Sequence, residues 1–134
     1  MNFHEIKVRV RYAETDQMGV VYHGNYAEYF EMGRVEWLRN LGLSYAFMEQ
    51  NGIMLPVVSL TINYKKPARY DDLLTVRTIL KKQESVRIEF DYEIYSESGE
   101  LLTTGYSMLV FVDMKTGRPV LPPDYVLEKI NVIK

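Results

Sequence analysis

Ile6, Val8, Val10 and Tyr12 alternate with Lys7, Arg9 and Arg11, which predicts a strand with one face buried and the other in water. The alternation then stops. Ala13 to Gly24 keep no period and contain two glycines, so they read as an ordered loop. From Tyr26 the spacing lengthens: Tyr26, Tyr29, Phe30, Gly33, Trp37 and Leu41 recur three and four apart, while Glu28, Glu31, Glu36 and Arg39 take the other sides. This predicts a helix from Asn25 to about Leu41, with Asn25 as N-cap, Glu28 as its capping-box partner and Gly42 as the stop. Gly33, inside the apolar stripe, costs roughly 1 kcal/mol of helix propensity against Ala and so predicts the close approach of a neighbouring backbone. Ser44 to Asn51 predicts a second, shorter helix closed by Gly52.

Beyond Met54 the period is two. Val58, Leu60, Ile62 and Tyr64 alternate with Ser59, Thr61 and Asn63, and Val86, Ile88, Phe90, Tyr92 and Ile94 alternate with Arg87, Glu89, Asp91 and Glu93. Two more strands, about Leu73 to Lys82 and Leu101 to Asp113, are set off by turn residues at Pro67 to Asp72, Lys82 to Ser85 and Ser96 to Glu100. Turns this short imply antiparallel neighbours. The expected architecture is α+β: a five-stranded antiparallel sheet wrapped on a central helix. The tail, with Gly117, Pro119, Pro122 and Pro123, predicts a turn and then a segment that the pattern does not assign. One helix cannot cover both faces of such a sheet and its edges need partners, so a homo-oligomer is expected.

With 134 residues, 47% hydrophobic and 25% charged, the chain has the size and balance of one compact domain spanning residues 1–134, without linker or repeat. A net charge of -2 gives no bulk attraction to nucleic acid or anionic membrane. The absence of cysteine excludes disulfides and thiolate chemistry. The N-terminus lacks the apolar core of a signal peptide, and the longest apolar run, Met108 to Val112, is too short to cross a bilayer. A soluble, cytoplasmic protein is expected.

Chemistry concentrates between Tyr12 and Arg34. A helix N-terminus offers backbone N–H groups without intrahelical partners and a partial positive charge, suited to polarising a carbonyl; His23 and Gly24 stand there. Asp16, in the loop upstream, suits a nucleophile or a general base toward water, and His23 could orient water or substrate. Together these describe acyl transfer to water. Each residue also has a plain alternative: Asp16 as a turn residue, His23 as a surface side chain, the aromatic stripe as core. Lys65, Lys66 and Arg69 form a local basic cluster, either a solvated strand end or a holder of phosphates on a nucleotide-like carrier. No phosphate-binding glycine loop is present, and His4 and His23 have no metal-ligand spacing.

The run RYAETDQMGVVYHGNYAEYFEMGR, followed by KKPARYDDLLTV and VFVDMKTGRP, resembles the hotdog-fold acyl-CoA thioesterases, specifically the Tol-Pal-associated group of the 4-hydroxybenzoyl-CoA thioesterase superfamily. The resemblance covers nearly the whole chain. It implies hydrolysis of acyl-CoA without metal or cofactor, by homodimers joined edge to edge and often paired into homotetramers. Carried onto matching positions, it implies that Asp16 is the catalytic carboxylate, as nucleophile or general base, that His23 supports it and that Tyr12 lies near the site. The N–H groups at His23 and Gly24 would polarise the thioester carbonyl, and Lys65, Lys66 and Arg69 would contact the CoA phosphates, often across the subunit boundary. The alternative is a hotdog module that is non-catalytic or directed at acyl carrier protein, within a lipid-associated complex.

Overall fold

The computed structural model describes residues 2–133. In chain order it contains β1 (Phe3–Arg9), a 3-10 turn at Tyr12–Glu14, α1 (Asn25–Asn40), α2 (Tyr45–Gln50), β2 (Ile53–Met54) and β3 (Val57–Tyr64). Then follow β4 (Leu73–Glu84), β5 (Arg87–Tyr95), β6 (Leu101–Val110), β7 (Val112–Asp113) and α3 (Asp124–Ile133). Five strands form one antiparallel sheet in the order β1-β4-β5-β6-β3, and β2 pairs with β7 beside it.

α1 lies against the sheet through the stripe its spacing predicts. Tyr26, Tyr29, Phe30, Gly33 and Trp37 are buried, and Arg34 and Leu38 join them. Phe30 stacks on Tyr92 with ring centroids 4.4 Å apart, and Trp37 meets Phe90 edge-on at 4.9 Å. Burial of each such side chain is worth about 1.5–3 kcal/mol, which holds the helix at a fixed height above the strands. At Gly33 the approach is close, but to side chains of β4 rather than to a backbone: a Cβ there would lie 2.4 Å from Thr78 Oγ1 and 3.1 Å from Val76 Cγ1.

Several boundaries depart from the pattern, each for a local reason. β1 ends at Arg9 rather than Tyr12, because Val10 leaves the ladder to exchange hydrogen bonds with Asp71 and Asp72 in the turn before β4. The N-cap of α1 is Gly24 rather than Asn25, in helical conformation, with no side-chain cap. The first helical N–H groups are covered by backbone instead: Asn25 N–H donates to the Tyr22 carbonyl at 2.9 Å and Tyr26 N–H, more weakly, to that of His23 at 3.4 Å. Ser44 does cap α2, accepting from the Phe47 N–H at 3.0 Å. The predicted last strand breaks at Phe111, whose N–H donates to Val86, and β7 pairs with β2, which the pattern does not mark. The unassigned tail forms α3, burying Val126 and Ile130.

β3 is one outer edge of the sheet, opposite β1. Of the predicted alternating set only Ile62 is partly buried against the core; Val58, Leu60 and Tyr64 are exposed, because α1 packs on β1 and β4 at the other side.

Candidate active site at the start of α1

The loop before α1 is tied on both sides. Asp16 N–H donates to the Val20 carbonyl at 2.9 Å and Gly19 N–H to that of Asp16 at 3.0 Å; Gly19 has φ +80, a left-handed conformation that glycine adopts without steric cost. Val21 N–H donates to Ala68 and Tyr22 N–H to Glu14, both at 2.8 Å, and Val20 bridges to Arg69. The segment is therefore a built loop rather than a loose connection.

Asp16 is half-buried. Its Oδ1 accepts the Met18 N–H at 2.9 Å and, more weakly, the Val20 N–H at 3.4 Å, which fixes the carboxylate in an Asx turn. No bond among the described residues engages Oδ2. The turn-residue alternative and the reactive one thus coexist: one oxygen builds the loop and the other stays available.

The backbone N–H groups of His23 and Gly24 have no hydrogen-bond partner within the described residues. The His23 carbonyl is held by the Tyr64 hydroxyl, which donates to it at 3.1 Å from the end of β3. The His23 ring packs on Tyr22 at 4.2 Å. α1 thereby points an uncapped, electropositive N-terminus toward the edge of the sheet.

Asp16 and His23 line different hollows. Tyr12, Thr15, Asp16, Gln17, Gly19 and Tyr70 surround one of about 590 Å³. Val20, Val21, His23 and Tyr26, with Tyr64, Lys65, Lys66 and Pro67, surround another of about 240 Å³. The predicted basic cluster therefore divides. Lys65 and Lys66 reach the His23 hollow, their backbone N–H groups both donating to Leu102, and the Lys66 ammonium pairs with Glu100. Arg69 lines neither hollow; its N–H donates to Asp72 Oδ2 at 2.9 Å. Tyr12 stands beside Asp16, exposed, at the foot of the 3-10 turn. Among the described residues, no three acidic, histidine or cysteine side chains converge where a metal ion could sit.

Two residues that the sequence reading passes over shape the site. Glu14, buried, accepts the Arg11 N–H, the Arg11 Nε–H and the Tyr29 hydroxyl, each at 2.9 Å. Burial alone would push this carboxyl up, but the Arg11 N–H, the Tyr29 hydroxyl and the Arg11 guanidinium outweigh it and hold it below the ordinary carboxylate value. Burial and Glu14 in turn raise the Tyr29 phenol. Tyr70 is the second, its ring set edge-on to Tyr12 with centroids 5.5 Å apart. The Arg11–Glu14 spacing was visible, as that of a 3-10 turn carrying its own ion pair; the link to Tyr29 had no local signal.

A long helix seated on a five-stranded antiparallel sheet is the arrangement of the hotdog thioesterases. The profile of the thioesterase-like superfamily matches residues 10–130, and the chain belongs to that superfamily. YneP of Bacillus subtilis is 38% identical over 120 residues, covering 90% of this chain and 87% of that one. The acyl-CoA thioester hydrolase YbgC of Escherichia coli is 33% identical, covering 90% and 91%. A solved structure, the DHNA-CoA thioesterase from Staphylococcus aureus, superposes with a TM-score of 0.95 at 40% identity, over 99% of this chain and 91% of that one.

Proposed function

We propose that the chain, as a single hotdog domain, hydrolyses acyl-CoA thioesters to the free acid and CoA. What supports this reading is that one built loop carries both the His23 and Gly24 N–H groups, without partners among the described residues, and the Asp16 carboxylate, bonded through Oδ1 alone. The thioester carbonyl oxygen sits on the helix N–H groups, where developing negative charge is stabilised. Asp16 Oδ2 either attacks the carbonyl carbon, releasing CoA thiolate and leaving a mixed anhydride for water to open, or takes a proton from the attacking water. Both routes give the same products, and single turnover in heavy-oxygen water separates them, because only the first places label in Asp16. His23 supports the carbonyl end, and the pantetheine arm leaves through the His23 hollow toward Lys65 and Lys66. Lys65, which has no ion pair among the described residues, meets the CoA phosphates.

The assembly in this reading is a cytoplasmic homodimer, or a dimer of dimers, joined through the β3 edge. The support is that edge itself: exposed apolar side chains at Val57, Val58 and Leu60 on a strand with one side unpaired. Tyr64 of the same strand holds the His23 carbonyl, so a partner on β3 would border the site. No helix among the described residues is long and apolar enough to cross a membrane. Acyl carrier protein presents the same pantetheine arm and is the second substrate form to assay.

Asp16→Asn tests the reading. Asn keeps an oxygen to accept the Met18 N–H, so the loop survives while the carboxylate is lost. Thiol release from acyl-CoA should fall by about 10²-fold or more. Near-native turnover in this variant would overturn the assignment.

A further inference from the structure

The Gly24 N–H, which has no partner among the described residues, shares one peptide group with the His23 carbonyl, which the Tyr64 hydroxyl holds. A peptide group is planar, so whatever fixes its oxygen also fixes the direction of its N–H. Resting on the thioesterase reading above, we propose that Tyr64 is a positioning residue. Its hydroxyl sets the His23–Gly24 peptide so that the Gly24 N–H faces the reacting carbonyl.

Inside a regular helix the plane of each peptide is set by the N–H four residues further on, which donates to its oxygen. At His23 the helix supplies only a weak substitute. The Tyr26 N–H, three residues on, reaches the His23 carbonyl at 3.4 Å, beyond the usual range for such a bond. The Tyr64 hydroxyl is nearer, at 3.1 Å, and comes from the end of β3, 41 residues away in the chain. The peptide that carries the donor is therefore oriented chiefly from outside its own helix. Donation to the oxygen also polarises the peptide, which makes the N–H at its other end a stronger donor.

Tyr64 is exposed, yet it is held in place. It pairs with Thr103 of β6, and the next two residues, Lys65 and Lys66, donate their N–H groups to Leu102 at 2.9 and 3.0 Å. Its ring meets the buried Tyr26 ring edge-on with centroids 5.4 Å apart, and the His23 ring at 6.5 Å. These contacts do not involve the hydroxyl, whose one bond among the described residues is to the His23 carbonyl. Tyr64 also lines the His23 hollow, so contact with the CoA arm is the competing role.

Tyr64→Phe keeps the ring and removes only the hydroxyl. With an acyl-CoA that the wild type hydrolyses, kcat should fall by about tenfold or more while KM stays within about twofold, because a misaimed donor weakens the transition state more than the bound thioester. Infrared spectra read the donor itself, using a CoA analogue in which a methylene replaces the thioester sulfur and the ketone carbonyl is isotope-labelled. At saturation its stretch should lie below the solution value in the wild type and return toward that value in Tyr64→Phe. The spectra report only on protein that binds the analogue, so misfolded molecules do not mimic the shift. An unmoved stretch, or an unchanged kcat, overturns the positioning role while the thioesterase reading stands; a raised KM beside either would assign the hydroxyl to the CoA arm. If the wild type releases thiol from no acyl-CoA, the thioesterase reading itself fails and this inference with it.

Discussion

The Tyr29 hydroxyl donates to Glu14 Oε1 at 2.9 Å, tying the buried face of α1 to the turn that leads into Asp16. α1 is placed by the sheet, and Glu14 refers the loop to α1. This bond joins the Tyr22 N–H to Glu14 and the Val21 N–H to Ala68 in fixing the Asp16 loop against the start of α1.

Glu14→Gln removes the charge and one of the two oxygens that serve three donors, and should destabilise the fold by about 1–3 kcal/mol at neutral pH. The effect should depend on pH with a definite sign. A carboxyl whose folded pKa is depressed adds stability above its unfolded pKa, about 4.3, and loses it as pH falls through the lower folded value. Denaturant melts of wild type and variant should therefore converge as pH drops below about 4.3; a gap that stays constant would mean that Glu14 contributes no charge-dependent stability.

Gly33→Ala should gain helix propensity and still lose stability, by about 1–3 kcal/mol, because its Cβ would collide with Thr78 Oγ1. Thr78 Oγ1 is buried with no hydrogen-bond partner among the described residues, so Thr78→Ala gives up no bond to them. The double variant should recover part of the loss, leaving only the less severe contact with Val76 Cγ1, at 3.1 Å, to relax. Thermal melts of the four proteins measure the coupling, and strict additivity would rule out this contact as the cause.

Arg34 is buried, with Nε donating to the Tyr45 hydroxyl at 2.9 Å and Nη1 to that of Tyr92 at 3.0 Å, and Tyr92 shares a 2.6 Å bond with Ser107. Tyr92→Phe strands both neighbours at once. It should cost about 1–3 kcal/mol, more than Tyr45→Phe, whose site lies nearer to water. The order of the two losses in chemical denaturation is the check.

Leu60→Lys places a charge on the open β3 edge without touching the buried core. By light scattering the wild type should run as a dimer or dimer of dimers, and the variant should shift toward monomer and lose turnover with it. An unchanged oligomer would place the interface elsewhere.

Periodicity reports burial on one face, and that is why the chain alone yields the α1 stripe, the alternating strands and the α+β hotdog layout. Tyr29, Phe30 and Trp37 repeat because one side of a helix must leave water, and Ile88, Phe90 and Tyr92 because one face of a strand must. The motif from Tyr12 to Arg34 likewise named a candidate carboxylate and helix start. Contacts between distant positions leave no such trace. That Glu14 meets Tyr29, that Lys66 pairs with Glu100, and that Tyr70 meets Tyr12 edge-on follow only once β1, β3 and the turn before β4 converge at one end of the sheet. The alternation of β3 predicted a strand but not that it would be an open edge, because exposure depends on which strands α1 covers, and that was decided by packing in three dimensions.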